Sequence, residues 1–100
     1  MSFAVEFGPV ARTNIETIHD WWVQNRPSAV DLFQQELDDA VDMLRLLPEV
    51  GLRYPYQKIK GLRRLLLRAT RYHVYYVFDG SLVTIVSVWS AVRGRGPDLR

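Results

Sequence analysis

The spacing of apolar residues changes near Gly51, and this change limits the folds that the chain can adopt. Before Gly51 the apolar residues recur at the period of a helix that buries one face. After it, short runs rich in Val, Ile, Leu and Tyr are typical of strands. The sequence therefore predicts helices in the first half of the chain and a sheet in the second half.

The chain has 100 residues, and at about 100–200 residues per domain this corresponds to a single domain, residues 1–100. It has no cysteine, which excludes a disulfide scaffold and agrees with a cytoplasmic location. No apolar stretch approaches the ~20 residues that span a bilayer, and the first residues lack the pattern of a secretory signal. We therefore expect a cytoplasmic protein without membrane contact.

Two helices are predicted in the first half, over residues 10–25 and 28–47. Pro27 separates them, because the residue before a proline avoids the α region. Ser28 is the candidate N-cap of the second helix, with Asp31 as its capping-box partner. The short connection between the helices predicts an antiparallel helical hairpin.

Four strands are predicted, at residues 2–7, 62–68, 72–78 and 82–89, and residues 52–60 are predicted to form a loop. The element order β-α-α-β-β-β indicates an α+β domain in which the helical hairpin packs on one face of a mostly antiparallel sheet. The Gly-rich sequence after the last strand predicts a flexible tail over residues 94–100.

Asp79-Gly80 predicts a two-residue hairpin turn between the last two strands. That turn pairs Tyr76 with Val83 and Val74 with Ile85. One strand face then packs against the helices. The other face, with His73, Tyr75 and Thr84, is expected to be more open.

Charge is distributed unevenly along the chain. Residues 1–50 carry three basic and nine acidic side chains, whereas residues 51–100 carry ten basic and two acidic ones. Eleven of the thirteen cations are arginines, which suit planar contact with phosphate or carboxylate. The asymmetry has two readings: an ordinary solvated surface, or a footprint for an anionic partner such as nucleic acid or an acidic protein segment.

Aromatic residues are interleaved with the cations of the second half. The mixture suits single-stranded RNA, through phosphate contacts and base stacking, and equally an acidic or amphipathic peptide. Trp21 and Trp22 are adjacent on the first predicted helix and point about 100° apart. Either both pack against the sheet or its rim, or one is an exposed anchor for a partner.

The residues that carry metal or nucleotide chemistry are scarce. His19 and His73 are the only histidines, and neither has a pair of carboxylates beside it at ligand spacing. The glycine-rich motifs that hold nucleotide phosphates do not occur. We therefore expect no metal, no cofactor and no small-molecule substrate.

Four segments, in this order and spacing, resemble the ParE/RelE toxin superfamily: Leu46–Gly51, Gly61–Arg64, Tyr72–Tyr76 and Val88–Arg95. The resemblance covers essentially the whole chain and lies closer to the ParE-like branch. It implies the toxin of a bacterial type II toxin-antitoxin system, neutralised by a cognate antitoxin that wraps an extended or helical segment around it. Plasmid stabilisation and growth inhibition are the associated roles.

The two branches of the superfamily imply different targets. ParE-like members are associated with inhibition of DNA gyrase, and RelE-like members with ribosome-dependent cleavage of mRNA. Many relatives would have a histidine where this chain has Ser90, and no tyrosine or histidine follows Tyr76. Arginine clamps anions but cannot act as a general base, so the sequence favours gyrase inhibition. A non-toxic RNA-binding module is the third alternative.

The candidate site residues follow from this resemblance and from the basic cluster. The residues expected to bind the antitoxin or the target are Arg63, Arg64, Arg71, Tyr75, Trp89, Arg93 and Arg95. If the protein is a nuclease, the catalytic residues are expected to be Arg63, His73 and Arg93.

Overall fold

Two helices pack on one face of a five-stranded sheet in the computed structural model, which describes residues 1–92, 96, 97 and 99. The elements are β1 (Ala4–Phe7), α1 (Pro9–Asn25), α2 (Val30–Leu46), β2 (Leu52–Arg53), β3 (Arg63–Leu67), β4 (Tyr72–Phe78) and β5 (Leu82–Ser90). The strand order is β1-β5-β4-β3-β2, with β1 parallel to β5 and the other neighbours antiparallel. The predicted α+β fold is confirmed, with β2 added inside the predicted loop.

The second helix begins later than predicted. Residues Pro27–Ala29 form a separate 3-10 turn, and Ala29 occupies the N-cap of α2 without a side-chain hydrogen bond. The predicted capping box of Ser28 and Asp31 is therefore wrong. Pro27 lacks an N–H and fixes its own φ, so it suits the start of this tight turn, which places Ser28 before the cap position.

The main core lies between the helices and the sheet. From α2 it takes Phe33, Leu37, Ala40, Val41 and Leu44, and from the two central strands Val74, Tyr76, Val83, Ile85 and Val88. The residues of α2 recur at helical spacing, and the side chains of β4 that face the helices alternate with those that do not. The predicted assignment of Val74 and Tyr76 to the helix-covered face is confirmed.

The turn between β4 and β5 differs from the prediction. The N–H of Asp79 donates to the carbonyl of Leu82, so the two loop residues are Gly80 and Ser81. Gly80 has a φ of 100°, which glycine adopts without steric cost. The carboxylate of Asp79 accepts hydrogen bonds from the N–H groups of Ser81 and Leu82, and these bonds fix Asp79 before the loop rather than in it.

The strand register changes with the turn. Tyr76 pairs with Ile85 rather than with Val83, and a bulge between Tyr75 and Tyr76 moves the pairing by one further residue. Val74 consequently lies opposite Val88 instead of Ile85. The predicted register is wrong because the turn is displaced by one residue and because a bulge adds an unpaired residue to one strand.

The sheet face away from the helices is more covered than predicted. Tyr75 is 2% exposed and belongs to a second cluster with Leu62 and Leu99. The Tyr56 hydroxyl donates to the Leu99 carbonyl at 2.7 Å and accepts from the Leu99 N–H at 3.1 Å. The expectation of an open face at Tyr75 is therefore wrong: the loop before β3 and Leu99 cover it.

The expected flexible tail over residues 94–100 stays a prediction, since residues 94, 95, 98 and 100 lie outside the described residues. Within the described part of the chain, neither helix combines the length and the apolar character that crossing a membrane requires.

Candidate functional site

Arg63 is tied to the turn that follows α2. Its guanidinium donates to the carbonyls of Glu49 and Gly51, at 3.1 and 2.8 Å, and lies 3.6 Å from the Glu49 carboxylate. The side chain is 17% exposed. Arg63 therefore holds the chain between α2 and β2 in place and leaves little of its surface for a partner.

Arg64 lies on the sheet face away from the helices, among tyrosines. Its guanidinium carbon is 4.8 Å from the centre of the Tyr54 ring, an arrangement that stabilises the cation, and it also hydrogen-bonds the Tyr75 side chain. Burial raises the pKa of Tyr75, which outweighs the lowering by the Arg64 hydrogen bond. The phenol therefore stays protonated near neutral pH and cannot act as a general base.

His73 lies next to this group on β4, with its ring centre 5.9 Å from that of Tyr75. Burial lowers the pKa of His73, and the positive charges of Arg64 and Arg71 lower it further. A neutral imidazole at physiological pH can accept a proton or a hydrogen bond. His73 is thus the described side chain of this face best suited to acid–base work.

The environment of His73 can be tested directly. Arg64→Gln is expected to raise the pKa of His73, because removal of a nearby positive charge makes protonation easier. Arg71→Gln should raise it less, since Arg64 is the larger of the two charge effects. An NMR titration of the imidazole measures both shifts. An unchanged or lower pKa in Arg64→Gln would contradict the assignment.

The same shift sets a pH dependence of stability. Because the folded pKa of His73 is below that of the unfolded chain, the folded state binds fewer protons. The contribution of His73 to the free energy of unfolding is complete above its pKa in the unfolded chain, about 6.5. It declines as the pH falls through that pKa. A His73→Gln variant should show a smaller loss of stability on this acid side.

Arg71 occupies the turn between β3 and β4, with a φ of 66° that is uncommon for a residue with a side chain. The carboxylate of Glu36 in α2 holds this turn by accepting hydrogen bonds from the N–H groups of Ala69 and Thr70 and from the Thr70 hydroxyl. Its partners lie more than thirty residues away, so no local signal marked this role.

The two adjacent tryptophans have different environments. Trp22 packs against the core, and its indole N–H donates to the Tyr72 hydroxyl at 3.1 Å. Trp21 is 48% exposed and its ring meets that of Trp22 edge-on, with centres 5.5 Å apart. One tryptophan is therefore structural and the other offers surface to a partner.

The remaining predicted site residues are separated. Trp89 pairs with His73 across β4 and β5 and is partly buried beside the second cluster. Arg93 and Arg95 lie outside the described residues. The structure thus brings Arg64, Tyr75 and His73 together and places Arg63 at a different position. Among the described residues, no group of three or more His, Cys, Asp or Glu side chains is arranged to hold a metal ion.

The fold is similar to those of several solved toxins. The chromosomal ParDE toxin-antitoxin system of P. aeruginosa gives a TM-score of 0.73 at 18% identity, over 89% of this chain and 96% of that one. The E. coli DinJ-YafQ toxin-antitoxin complex gives a TM-score of 0.62 at 14% identity, over 96% of this chain and 100% of that one. The RelBE2 toxin-antitoxin complex of Mycobacterium tuberculosis gives a TM-score of 0.58 at 20% identity, over 91% of this chain and 94% of that one. No curated protein sequence matches this chain.

The two helices on a five-stranded mixed sheet therefore define a ParE/RelE-like toxin fold. Residues 5–94 also match the family model described as the ParE toxin of the type II toxin-antitoxin system parDE. The chain belongs to this family and is a type II toxin.

Proposed function

We propose that this toxin inhibits DNA gyrase by direct protein contact, the activity that the ParE-like branch implies. The observation that carries the proposal is the chemistry of the sheet face around His73. Cleavage of RNA through its 2′-hydroxyl needs a base, an acid and cations for the developing charge. Arg64 and Arg71 offer cations and His73 offers one proton-transfer group. Tyr75, the described phenol beside it, is only 2% exposed and therefore cannot reach a bound RNA as an acid or as a base.

Binding to a protein requires fewer kinds of side chain from the same surface than RNA cleavage does. Arginines pair with carboxylates and exposed aromatic rings fill pockets on a partner, and neither role requires a titrating side chain. Membership in the ParE family favours this reading over the RelE-like one. A non-toxic RNA-binding module does not fit a chain of a toxin family.

The proposal is tested by two assays with one preparation of toxin. Incubation with DNA gyrase and relaxed plasmid is expected to abolish supercoiling, whereas programmed ribosomes should leave their mRNA intact. His73→Ala is the matched control and should inhibit gyrase as the wild type does, because the proposed contact does not use proton transfer. Normal supercoiling together with ribosome-dependent cleavage that His73→Ala abolishes would overturn the proposal.

The second candidate, ribosome-dependent mRNA cleavage, rests on His73 and on the positive charges of Arg64 and Arg71 near it. The cognate antitoxin is a partner under either target. Co-expression of the toxin with the small protein encoded beside it should give a stable complex and relieve growth arrest.

A further inference from the structure

The turn between β3 and β4, residues 68–71, presents two arginine side chains that its own structure does not use. Arg68 and Arg71 are both exposed, and within the described part of the chain neither guanidinium forms an ion pair. The turn is held instead by the backbone of Arg71: its N–H donates to the Leu67 carbonyl and its carbonyl accepts from the Ala91 N–H, both at 2.8 Å. The two side chains are therefore available to another molecule.

Arginine is an unfavourable residue for position 71. Its φ of 66° lies in the left-handed region, where the Cβ atom crowds the following carbonyl oxygen. The other positive φ values among the described residues belong to Gly61 and Gly80, which have no Cβ. A strained residue whose side chain does not support its own turn is typical of a functional position.

The turn is anchored to the helical layer between its two arginines. The Glu36 carboxylate in α2 accepts hydrogen bonds from the N–H groups of Ala69 and Thr70, at 2.7 and 3.0 Å. Thr70 is 9% exposed, so this anchor is largely shielded from water. Because the backbone that carries Arg68 and Arg71 is already fixed, binding orders little besides the two side chains, which favours affinity.

The charge around the turn is mainly positive. The arginine and carboxylate side chains that line the two grooves beside it are Arg26 and Arg71 in one groove, and Arg64, Arg68, Glu36 and Asp39 in the other. Glu36 is engaged by the backbone of the turn, and Asp39 forms no ion pair with another described residue. Four arginines thus surround the turn with two carboxylates. A partner with acidic side chains would relieve the repulsion among these arginines.

We propose that the β3–β4 turn is the part of the toxin that binds the target, with Arg68 and Arg71 paired to carboxylates on the surface of gyrase. The planar guanidinium binds a carboxylate through two parallel hydrogen bonds, which makes the pair both strong and directional. The assignment rests on the proposed inhibition of gyrase and names the surface that carries it. It fails alone if another face of the toxin makes the contact.

Arg71→Asn separates a binding role from a structural one, because asparagine removes the charge and tolerates a positive φ. In the gyrase supercoiling assay, the toxin concentration for half-inhibition should rise about tenfold. The melting temperature of the variant should equal or exceed that of the wild type, since backbone strain is relieved. Arg71→Gly should behave in the same way. Weaker inhibition with a lower melting temperature in both variants would overturn the proposal.

Arg68→Gln tests the other side of the turn and should weaken inhibition by about the same factor. Arg53→Gln is the matched control, since it removes the same charge from an exposed arginine of β2. Arg53 pairs with Arg63 at the start of β3, at the far end of that strand from the turn. The control should change inhibition less than about threefold. Wild-type inhibition by Arg68→Gln and Arg71→Asn would overturn the proposal and leave gyrase as the target.

A binding assay distinguishes carboxylates of gyrase from phosphates of DNA, which suit the same guanidinium groups. Fluorescently labelled toxin should bind gyrase without DNA, and Arg71→Asn should bind about tenfold more weakly and with a smaller dependence on salt. Binding to plasmid alone that the turn variants lose, without binding to gyrase alone, would reject an acidic protein surface. A wild-type toxin that neither binds nor inhibits gyrase would reject the proposed function and this assignment together.

Discussion

Replacement of Gly51 by alanine is expected to lower the free energy of unfolding by about 3 kcal/mol. A Cβ atom at Gly51 would lie 2.6 Å from the Tyr76 hydroxyl and 2.9 Å from the Arg64 carbonyl. Tyr76 is fully buried and Arg64 belongs to the sheet, so neither group can move aside at low cost. Any shift of the turn also weakens the 2.8 Å hydrogen bond from the Gly51 N–H to the Tyr76 hydroxyl.

Equilibrium unfolding in urea measures this loss. Gly61→Ala is the matched control, because a Cβ at Gly61 has no neighbour within 4 Å and meets only the strain of a φ of 73°, worth about 1 kcal/mol. A second comparison makes the same change in a Tyr76→Phe background. Alanine should cost less there, since the hydroxyl oxygen at 2.6 Å is gone and only the ring carbon Cε1 at 2.7 Å and the Arg64 carbonyl still clash. Equal losses at Gly51 and Gly61 would contradict the steric explanation.

Replacement of Glu36 by alanine is expected to lower the free energy of unfolding by about 2–3 kcal/mol. The carboxylate accepts hydrogen bonds from the N–H groups of Ala69 and Thr70, at 2.7 and 3.0 Å, and from the Thr70 hydroxyl. Thr70 is only 9% exposed, so water cannot fully replace these bonds. Asp39→Asn, an exposed position on the same helix, should change stability by less than about 0.5 kcal/mol.

The Glu36 contact also predicts a pH dependence. Burial raises the pKa of Glu36, but the three hydrogen bonds together outweigh it and leave the pKa below its ordinary value. The folded state therefore releases this proton more readily than the unfolded chain, so the contact stabilises fully above the unfolded pKa of about 4.3. Its contribution falls as the pH drops through the folded pKa. Glu36→Gln should reduce this decrease in the free energy of unfolding at acidic pH. The same decrease in the variant as in the wild type would contradict the assignment.

The sequence was sufficient to predict α1, α2, β1, β3, β4 and β5, because each of them has a local cause, whereas β2 was missed. The apolar period of α2 and the alternation in β4 both arise from contact with one shared core, and residues 72–78 match β4 as observed. The family resemblance rested on several such segments in order, and the match over residues 5–94 confirms it.

The contacts that shape the candidate site could not be predicted from local sequence patterns. The Asp79 side chain displaces the β4–β5 turn by one residue, and a bulge then shifts the pairing of Tyr75 and of the β4 residues before it once more. Tyr75 is covered by Leu99 and Arg63 is tied to Glu49, both through contacts between distant parts of the chain. A pattern of residue types carries no information about such partners.

The parallel pairing of β1 with β5 has a consequence for when the toxin can become active. Ala4 pairs with Leu82 and Phe7 with Ile85, so β1 pairs with a strand that follows all the other described elements along the chain. Contacts of such long sequence separation form late in folding. The sheet is therefore incomplete until β5 has left the ribosome. This order delays completion of the sheet until residues 82–90 have been made.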